Sequence, residues 1–246
     1  MNRITVSLLI FLFVLLTGNT NAQSYAFGLK GGVTAALQTW DNYGRDPLYN
    51  THAVLFIESA DDDKGSVFAQ LGYHVKGAAN RPKGRTIYRD LQGNLVEYKP
   101  SVVEYEFYNL SLTAGFKKKY PFGSNFAYYM LGIRGDYTLK TNFNQFEEIN
   151  KAFFFFPTDT YVNKWNYGVT VGGGFEFPFS ELVRGMIEFT VNPDFSRQYR
   201  QPPINNLINL YDPGQIYSIP ERQINNITLE ITLGIRFMNK IEYVED

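Results

Sequence analysis

Two histidines are the side chains of this sequence best suited to acid–base or metal chemistry. The chain has 246 residues, no cysteine, and His52 and His74 as its two imidazoles. If the segment between them folds as a hairpin symmetric about Asp63, the two rings face each other across adjacent strands. Three interpretations are open: a hydrogen-bonded structural pair, a metal- or pH-sensitive pair, and a catalytic base. We predict the structural pair, because no serine and acid partner can be assigned to a catalytic histidine without long-range register.

The remaining motifs lack the spacing that an active or binding site requires. The glycines at 31–32 and 172–174 lie inside alternating segments, without phosphate-loop spacing, and no serine-hydrolase or zinc-protease motif is present. The three adjacent aspartates at 61–63 predict a solvated hairpin tip rather than a calcium site. The sequence therefore predicts no enzymatic activity, no cofactor and no metal.

Composition and the first residues indicate an exported protein that does not bind nucleic acid. The formal net charge is −1 and the mean hydropathy is −0.24, whereas nucleic-acid-binding domains carry clustered basic residues. Residues 1–22 combine Arg3, the apolar run 4–16 and small residues before Gln23, which is typical of a secretory signal peptide. The apolar run is shorter than the roughly 20 residues of a membrane-spanning helix. We predict a signal peptide at 1–22 and one domain at 23–246.

Eight segments alternate apolar and polar residues with the period of a β-strand. They cover 25–38, 52–59, 67–76, 108–117, 128–139, 165–177, 183–191 and 227–237. The connections are short at 61–65, 118–125 and 178–182, and long at 39–51, 77–102, 141–164 and 196–226. Bacterial outer-membrane barrels combine short periplasmic turns with long extracellular loops. We therefore predict an all-β fold, an eight-stranded antiparallel up-and-down transmembrane β-barrel with both termini in the periplasm.

The apolar face of these strands is predicted to point outward. Its large residues would overfill the narrow interior of an eight-stranded barrel, whereas the opposite face is rich in Gly, Ser and Thr. Aromatic residues gather near both strand ends, as in the girdles of membrane barrels. The short-turn girdle contains Tyr25, Phe27, Phe116, Tyr129, Phe175, Phe177 and Phe237, and the long-loop girdle contains Trp40, Tyr108, Tyr137, Phe143, Trp165 and Tyr167. A soluble ligand-binding barrel and a β-sandwich are the alternatives.

The polar face then lines the lumen with charges of both signs. The candidate lumen residues are Lys30, Glu58, Gln70, Lys76, Arg134, Asp136, Glu176, Arg184, Glu188, Glu230 and Arg236, with His52 and His74 as a pair at the extracellular rim. Glu176 and Arg184 flank one tight turn with matching parity, which predicts an ion pair. Glu230 and Arg236 are expected near Lys30, where the barrel closes. Because buried charges are costly unless paired, we predict a salt-bridge network that blocks the bore; an open ion path is the alternative.

The long connections carry apolar segments that are unusual for solvent-exposed loops. Residues 151–157 include four consecutive Phe, and 204–210 and 216–219 are also apolar, while 85–90 and 95–99 predict a small hairpin. Either the strands continue above the membrane and pack on one another, or the loops form a docking surface.

The first and last strands carry a resemblance to a known family. The segments FGLKGGV at 27–33 and LEITLGIRF at 229–237, with Gly-rich alternating strands between them, resemble the PorT-type outer-membrane β-barrels of Bacteroidetes, within the OmpA-like eight-stranded barrel group. The resemblance implies location in the outer membrane of a Gram-negative bacterium and, for the namesake members, a part in type IX protein secretion. Because the chain ends shortly after Phe237, no peptidoglycan-binding domain is expected.

We therefore expect a non-enzymatic integral outer-membrane protein with a structural or partner-binding role through its extracellular loops. The expected partners are outer-membrane lipid and lipopolysaccharide, with other envelope or secretion proteins as candidates. An accessory role in type IX secretion, a narrow pore and a lipid A-modifying enzyme are the alternatives. The last is considered because some lipid A acylases and deacylases carry a catalytic histidine near the extracellular rim.

Overall fold

A computed structural model describes residues 24–40, 45–60, 64–82, 84–89, 95–98, 101–152, 156–208 and 214–239. The predicted signal peptide at 1–22 and the aspartates at 61–63 lie outside these ranges. Within them, no helix has the length and apolar character needed to cross a membrane.

Antiparallel strands close into an up-and-down barrel, which confirms the predicted fold. In chain order the strands are β1 (Tyr25–Trp40), β2 (Asp46–Ser59), β3 (Gly65–Asn80), β4 (Thr86–Arg89), β5 (Leu95–Tyr98), β6 (Val103–Phe122), β7 (Asn125–Thr141), β8 (Trp165–Pro178), β9 (Val183–Pro193), β10 (Tyr199–Gln201), β11 (Ile204–Ile208), β12 (Ile216–Ile219) and β13 (Arg222–Asn239). Eight of them, β1, β2, β3, β6, β7, β8, β9 and β13, form the ring. β13 closes it by pairing with β1 from Tyr25–Asn239 to Trp40–Ile224.

The alternation of side chains along each strand places apolar residues outside and polar residues inside. On β13, Ile231 and Leu233 are 55% and 62% exposed, whereas Glu230, Thr232 and Arg236 are buried. The same alternation recurs on the other barrel strands, except that residues 75–79 of β3 are all buried, so the outer wall is apolar. Such a wall is suited to hydrocarbon rather than to water. The predicted outward orientation of the apolar face is confirmed.

Short turns lie at one end of the barrel and most long connections at the other. Residues 60–64, 123–124 and 179–182 form the short joints, and 81–102, 142–164 and 194–221 span the long connections. The prediction of a long loop at 39–51 is wrong. β1 ends at Trp40 and β2 begins at Asp46, because both strands extend the wall beyond the apolar segments from which they were predicted.

Additional elements cover the barrel at the long-connection end. The predicted hairpin forms as β4–β5, β11 pairs with β12, and β10 pairs with β13. A short helix, α1 (Glu147–Ala152), follows a 3-10 turn at Phe143–Phe146. Beneath these elements lies a buried cluster, here called the cap, made of Trp40, Tyr105, Phe107, Phe143, Phe146, Tyr199 and Ile224.

Two residues predicted for the long-loop girdle belong to the cap instead. Trp40 and Phe143 are 7% and 2% exposed, because Trp40 has the inward parity of β1 and Phe143 lies on the 3-10 turn that folds over the lumen. Phe143 packs edge-on against Phe107, with ring centroids 5.1 Å apart. Burial in the cap raises the pKa of the Tyr199 hydroxyl.

Candidate functional site

Glu58 is the centre of an ionic network in the half of the lumen nearest the short turns. Its Oε1 accepts hydrogen bonds from Nε of Arg236 at 2.5 Å and from Nζ of Lys119 at 3.1 Å. Nζ of Lys117 lies 3.0 Å from Oε2. Glu176 adds a second carboxylate, 3.6 Å from Lys119 and 3.9 Å from Arg236. The cluster surrounds one deeply buried carboxylate with three cations, the arrangement that makes burying charge tolerable.

Glu188 forms a second centre beside the first. It accepts a hydrogen bond from Nζ of Lys30 and another from the Tyr128 hydroxyl at 2.8 Å. Lys117 lies 3.4 Å from Glu188 and so links the two carboxylate centres. Its ammonium group also lies 4.7 Å from the centroid of the Tyr128 ring, within cation–π distance. These contacts join β1, β6, β7 and β9 across the interior.

A third ionic cluster fills the half of the lumen nearest the cap. Lys76 donates hydrogen bonds to Asp136 at 2.6 Å and to Asp194 at 2.7 Å. Arg134 donates from Nη2 to Asp194 at 2.6 Å, and its Nε lies 3.2 Å from Asp136. The four side chains are at most 9% exposed. Two cations therefore match two carboxylates in a closed square.

The two histidines lie between these ionic clusters. His52 on β2 and His74 on β3 are cross-strand neighbours, and their rings stack with centroids 5.3 Å apart and an interplanar angle of 9°. Nδ1 of His74 lies 2.7 Å from Oε1 of Glu230. The two nitrogens of His52 contact the hydroxyls of Thr34 at 2.8 Å and Thr232 at 2.9 Å. The arrangement fixes both imidazoles and supplies the acid partner that the sequence could not assign.

The predicted position of this pair at the extracellular rim is wrong. His52 and His74 are 5% and 7% exposed, and the Lys76 cluster and the cap lie between them and the long connections. The rim lies further from the short turns than predicted, because the strands extend beyond the apolar segments from which they were predicted. β2 begins at Asp46 and β6 at Val103. The pair is an interior feature of the barrel.

Gly72 makes room for the His74 ring. A Cβ atom at Gly72 would lie 2.3 Å from Nε2 of His74 and 3.1 Å from Cγ2 of Val54. We expect Gly72→Ala to displace the imidazole and to lower the free energy of unfolding by about 1–3 kcal/mol, the usual cost of overpacking. Chemical denaturation followed by tryptophan fluorescence measures this loss.

Gly135→Ala is the matched control for Gly72→Ala. A Cβ atom at Gly135 would meet nothing within 4 Å, although the residue also lies in a barrel strand. Equal stability losses for the two variants would contradict the steric role assigned to Gly72.

The register across the β8–β9 turn corrects one predicted ion pair. Glu176 lies opposite Met186, and Arg184 lies opposite Pro178. The prediction assumed a hairpin centred on residue 180, whereas the amides of Phe179 and Ser180 both donate to the carbonyl of Val183 and shift the centre by one residue. Arg184 is half-buried and its guanidinium lies 4.6 Å from the centroid of the Phe126 ring.

The seam between β1 and β13 corrects a second expectation. Lys30 lies opposite Gly234 and binds Glu188 rather than Glu230 or Arg236. Arg236 binds Glu58, and Glu230 lies opposite Thr34 while its carboxylate contacts His74. Strand adjacency therefore did not identify the partners, because side chains reach across the lumen to strands that are not neighbours.

The other predicted lumen residues face the interior, and four further residues join them. Buried there are Lys30, Glu58, Gln70, Lys76, Arg134, Asp136, Glu176, Glu188, Glu230 and Arg236. Lys117, Lys119, Tyr128 and Asp194 were missed as members of the network. The first three share the inward parity of their strands, a usable signal, but Lys119 was assigned to a turn. Asp194 follows the end of β9, where periodicity gives no information.

Comparisons with solved structures return bacterial outer-membrane barrels. OprG of Pseudomonas aeruginosa is 11% identical, with a TM-score of 0.45, covering 89% of this chain and 99% of OprG. The outer-membrane protease OmpT of Escherichia coli is 8% identical, with a TM-score of 0.45 and coverage of 88% and 97%. Ail of Yersinia pestis is 11% identical, with a TM-score of 0.39 and coverage of 87% and 99%. The likeness is one of barrel architecture alone.

The comparisons correct the prediction that the chain is not an enzyme. That prediction rested on missing catalytic motifs, and it is contradicted by the outer-membrane protease OmpT among the similar barrels. At 8% identity this likeness assigns no activity to the present chain. No family model matches the sequence, and no curated protein matches it. The resemblance to PorT-type barrels, and the secretion role it implies, stay predictions.

Proposed function

We propose that this chain is an integral outer-membrane protein with a closed barrel that acts through the surface it presents above the membrane. The observation that carries the proposal is an apolar outer wall enclosing an interior filled by matched charges. An apolar wall fits a bilayer. A filled interior gives a water-soluble substrate no continuous path. The region left to meet other molecules is the set of elements above the cap.

Those elements expose apolar side chains to the surroundings. Ile87 and Leu95 in the β4–β5 hairpin are 66% and 68% exposed, and Ile208 and Ile216 in the β11–β12 hairpin are 63% and 68% exposed. Exposed apolar groups outside the membrane belt are typical of contact surfaces. They support a structural or partner-binding role for this end of the protein.

We expect the purified protein to show no discrete conductance in a planar lipid bilayer. The reason is that the Glu58, Glu188 and Lys76 clusters and the amides of Asn109, Gln198 and Asn226 fill successive levels of the lumen. A general porin added to the same bilayer serves as the positive control. Reproducible single-channel steps from the protein alone would contradict a closed barrel.

Cysteine labelling tests the proposed location and orientation. Because the natural chain has no cysteine, a single Ile87→Cys change introduces the only thiol, and a membrane-impermeant maleimide should label it in intact cells. Glu181→Cys, in the exposed turn between β8 and β9, is the matched control and should react only after the cells are disrupted. If Glu181→Cys were labelled in intact cells and Ile87→Cys were not, the protein would have the opposite orientation to the one proposed.

A further inference from the structure

We propose that His52, His74 and Glu230 bind one divalent transition-metal ion inside the barrel, with Zn²⁺ as the best match. The three residues each offer one ligand atom, and these atoms all lie within 4.8 Å of one another. All three residues are buried. Two imidazole nitrogens and one carboxylate oxygen form a donor set that zinc accepts, with a fourth position left for water. The inference is independent of the function proposed above.

The charge distribution of the lumen favours a cation at this point. Among the described lumen carboxylates, those of Glu58, Asp136, Glu176, Glu188 and Asp194 all have a lysine or arginine within ion-pair distance. Glu230 instead has His74 as its ion-pair partner. A buried carboxylate is stabilised by a nearby positive charge. A divalent ion between Glu230 and the imidazoles would supply that charge.

The nearby lysine and arginine do not take this role. Lys30 and Arg134 line the same cavity as Glu230, but Lys30 is bound to Glu188, and Arg134 is bound to Asp194 and lies beside Asp136. Their charges are therefore already balanced by other carboxylates.

Hydroxyl groups on three strands hold His52 and Glu230 in place. Thr34 on β1 and Thr232 on β13 contact the two nitrogens of His52, and Thr190 on β9 donates to Oε2 of Glu230 at 3.2 Å. A hydroxyl can donate or accept, so either nitrogen of His52 can present a lone pair while the other is held by a threonine. Outer partners of this kind orient metal-binding histidines and carboxylates.

A small cavity beside the ligands offers room for the water that would complete the coordination. It is lined by Lys30, His52, Gln70, His74, Glu230 and Thr232 among others, and its volume is about 20 Å³. A polar cavity of about this size holds a single water. The ligands come from β2, β3 and β13, so a bound ion would tie the β2–β3 hairpin to the closing strand.

Refolding the full chain in detergent with Zn²⁺, using an affinity tag without histidine, tests the site. After exhaustive dialysis, elemental analysis should find one zinc per chain. Refolding with Cu²⁺ gives a second readout, because electron paramagnetic resonance detects coupling to imidazole nitrogen. His52 and His74 are the two histidines of the chain, so such coupling is assigned to them without any variant. Absence of retained zinc together with absence of nitrogen coupling would overturn the proposal.

Single variants test one ligand, one outer partner and one cavity residue that is not a ligand. His74→Gln should lower zinc affinity by more than about 100-fold, and Thr34→Val by about 10–100-fold, the usual cost of losing an outer partner. Gln70→Ala, which alters the same cavity without removing a ligand, is the matched control and should retain zinc. Unchanged zinc retention after His52→Gln and His74→Gln together would assign the ion to another place and overturn the proposal.

Discussion

Replacing Glu58 with Gln is expected to lower the free energy of unfolding by about 3–5 kcal/mol, the cost of breaking a buried ion pair from one side. The change keeps the shape of the side chain but removes the negative charge that Arg236, Lys117 and Lys119 surround. Three cations would then share the interior with too few carboxylates. Denaturant unfolding in detergent micelles, monitored by the fluorescence of Trp40 and Trp165, measures the loss.

The control for this prediction is the same substitution at an exposed ion pair. Glu97→Gln removes the partner of Arg85, whose side chain is 69% exposed. Exposed pairs contribute about 0–1 kcal/mol. Similar losses for the two variants would mean that the Glu58 cluster is hydrated, and the closed lumen would have to be abandoned.

Placing a charge on the outer wall is the second change with a large expected effect. Leu233 lies on β13, opposite Gly31 of β1 and Ile187 of β9, and is 62% exposed on the apolar surface. Leu233→Lys should destabilise the protein in lipid vesicles by about 2–4 kcal/mol, the cost of a lysine near the middle of a bilayer. Reversible unfolding from vesicles measures this effect.

Ile216→Lys separates the effect of the bilayer from that of the lysine itself. Ile216 is 68% exposed on β12, in the hairpin above the barrel. A lysine there meets water, so the stability should change by less than about 0.5 kcal/mol. A neutral result at both positions would show that the apolar wall does not face hydrocarbon.

The period-two pattern was sufficient to predict the barrel because it follows directly from strand geometry. Successive side chains of a strand point to opposite faces, so Ile231 and Leu233 could be assigned to one face and Glu230 and Thr232 to the other without any long-range information. The narrow bore of an eight-stranded barrel then decided which face was inside. The same parity placed Lys30, Glu58 and Glu188 in the lumen.

Strand ends and loop positions were predicted less well because their signals are local and weak. The alternation of β6 continues through Lys117 to Lys119 and the strand runs on to Phe122, but the charges and turn-forming residues there resemble a turn. Trp40 and Phe143 are aromatic, as the residues of a membrane girdle are. However, Trp40 faces inward and Phe143 lies on the turn that folds over the lumen. Hydrophobicity alone does not distinguish a membrane interface from a buried cap.

The identity of each lumen partner depends on tertiary structure. Glu58 of β2 meets cations from β6 and β13, and Lys76 of β3 meets Asp194, which follows the end of β9. The sequence determined the alternation, the outward apolar wall and the facing of His52 and His74, because those depend on parity and on one short hairpin. Closure of the barrel decided that Glu230 meets His74. Long side chains cross the narrow interior and join strands that are not neighbours, and no local sequence pattern specifies the stagger of those strands.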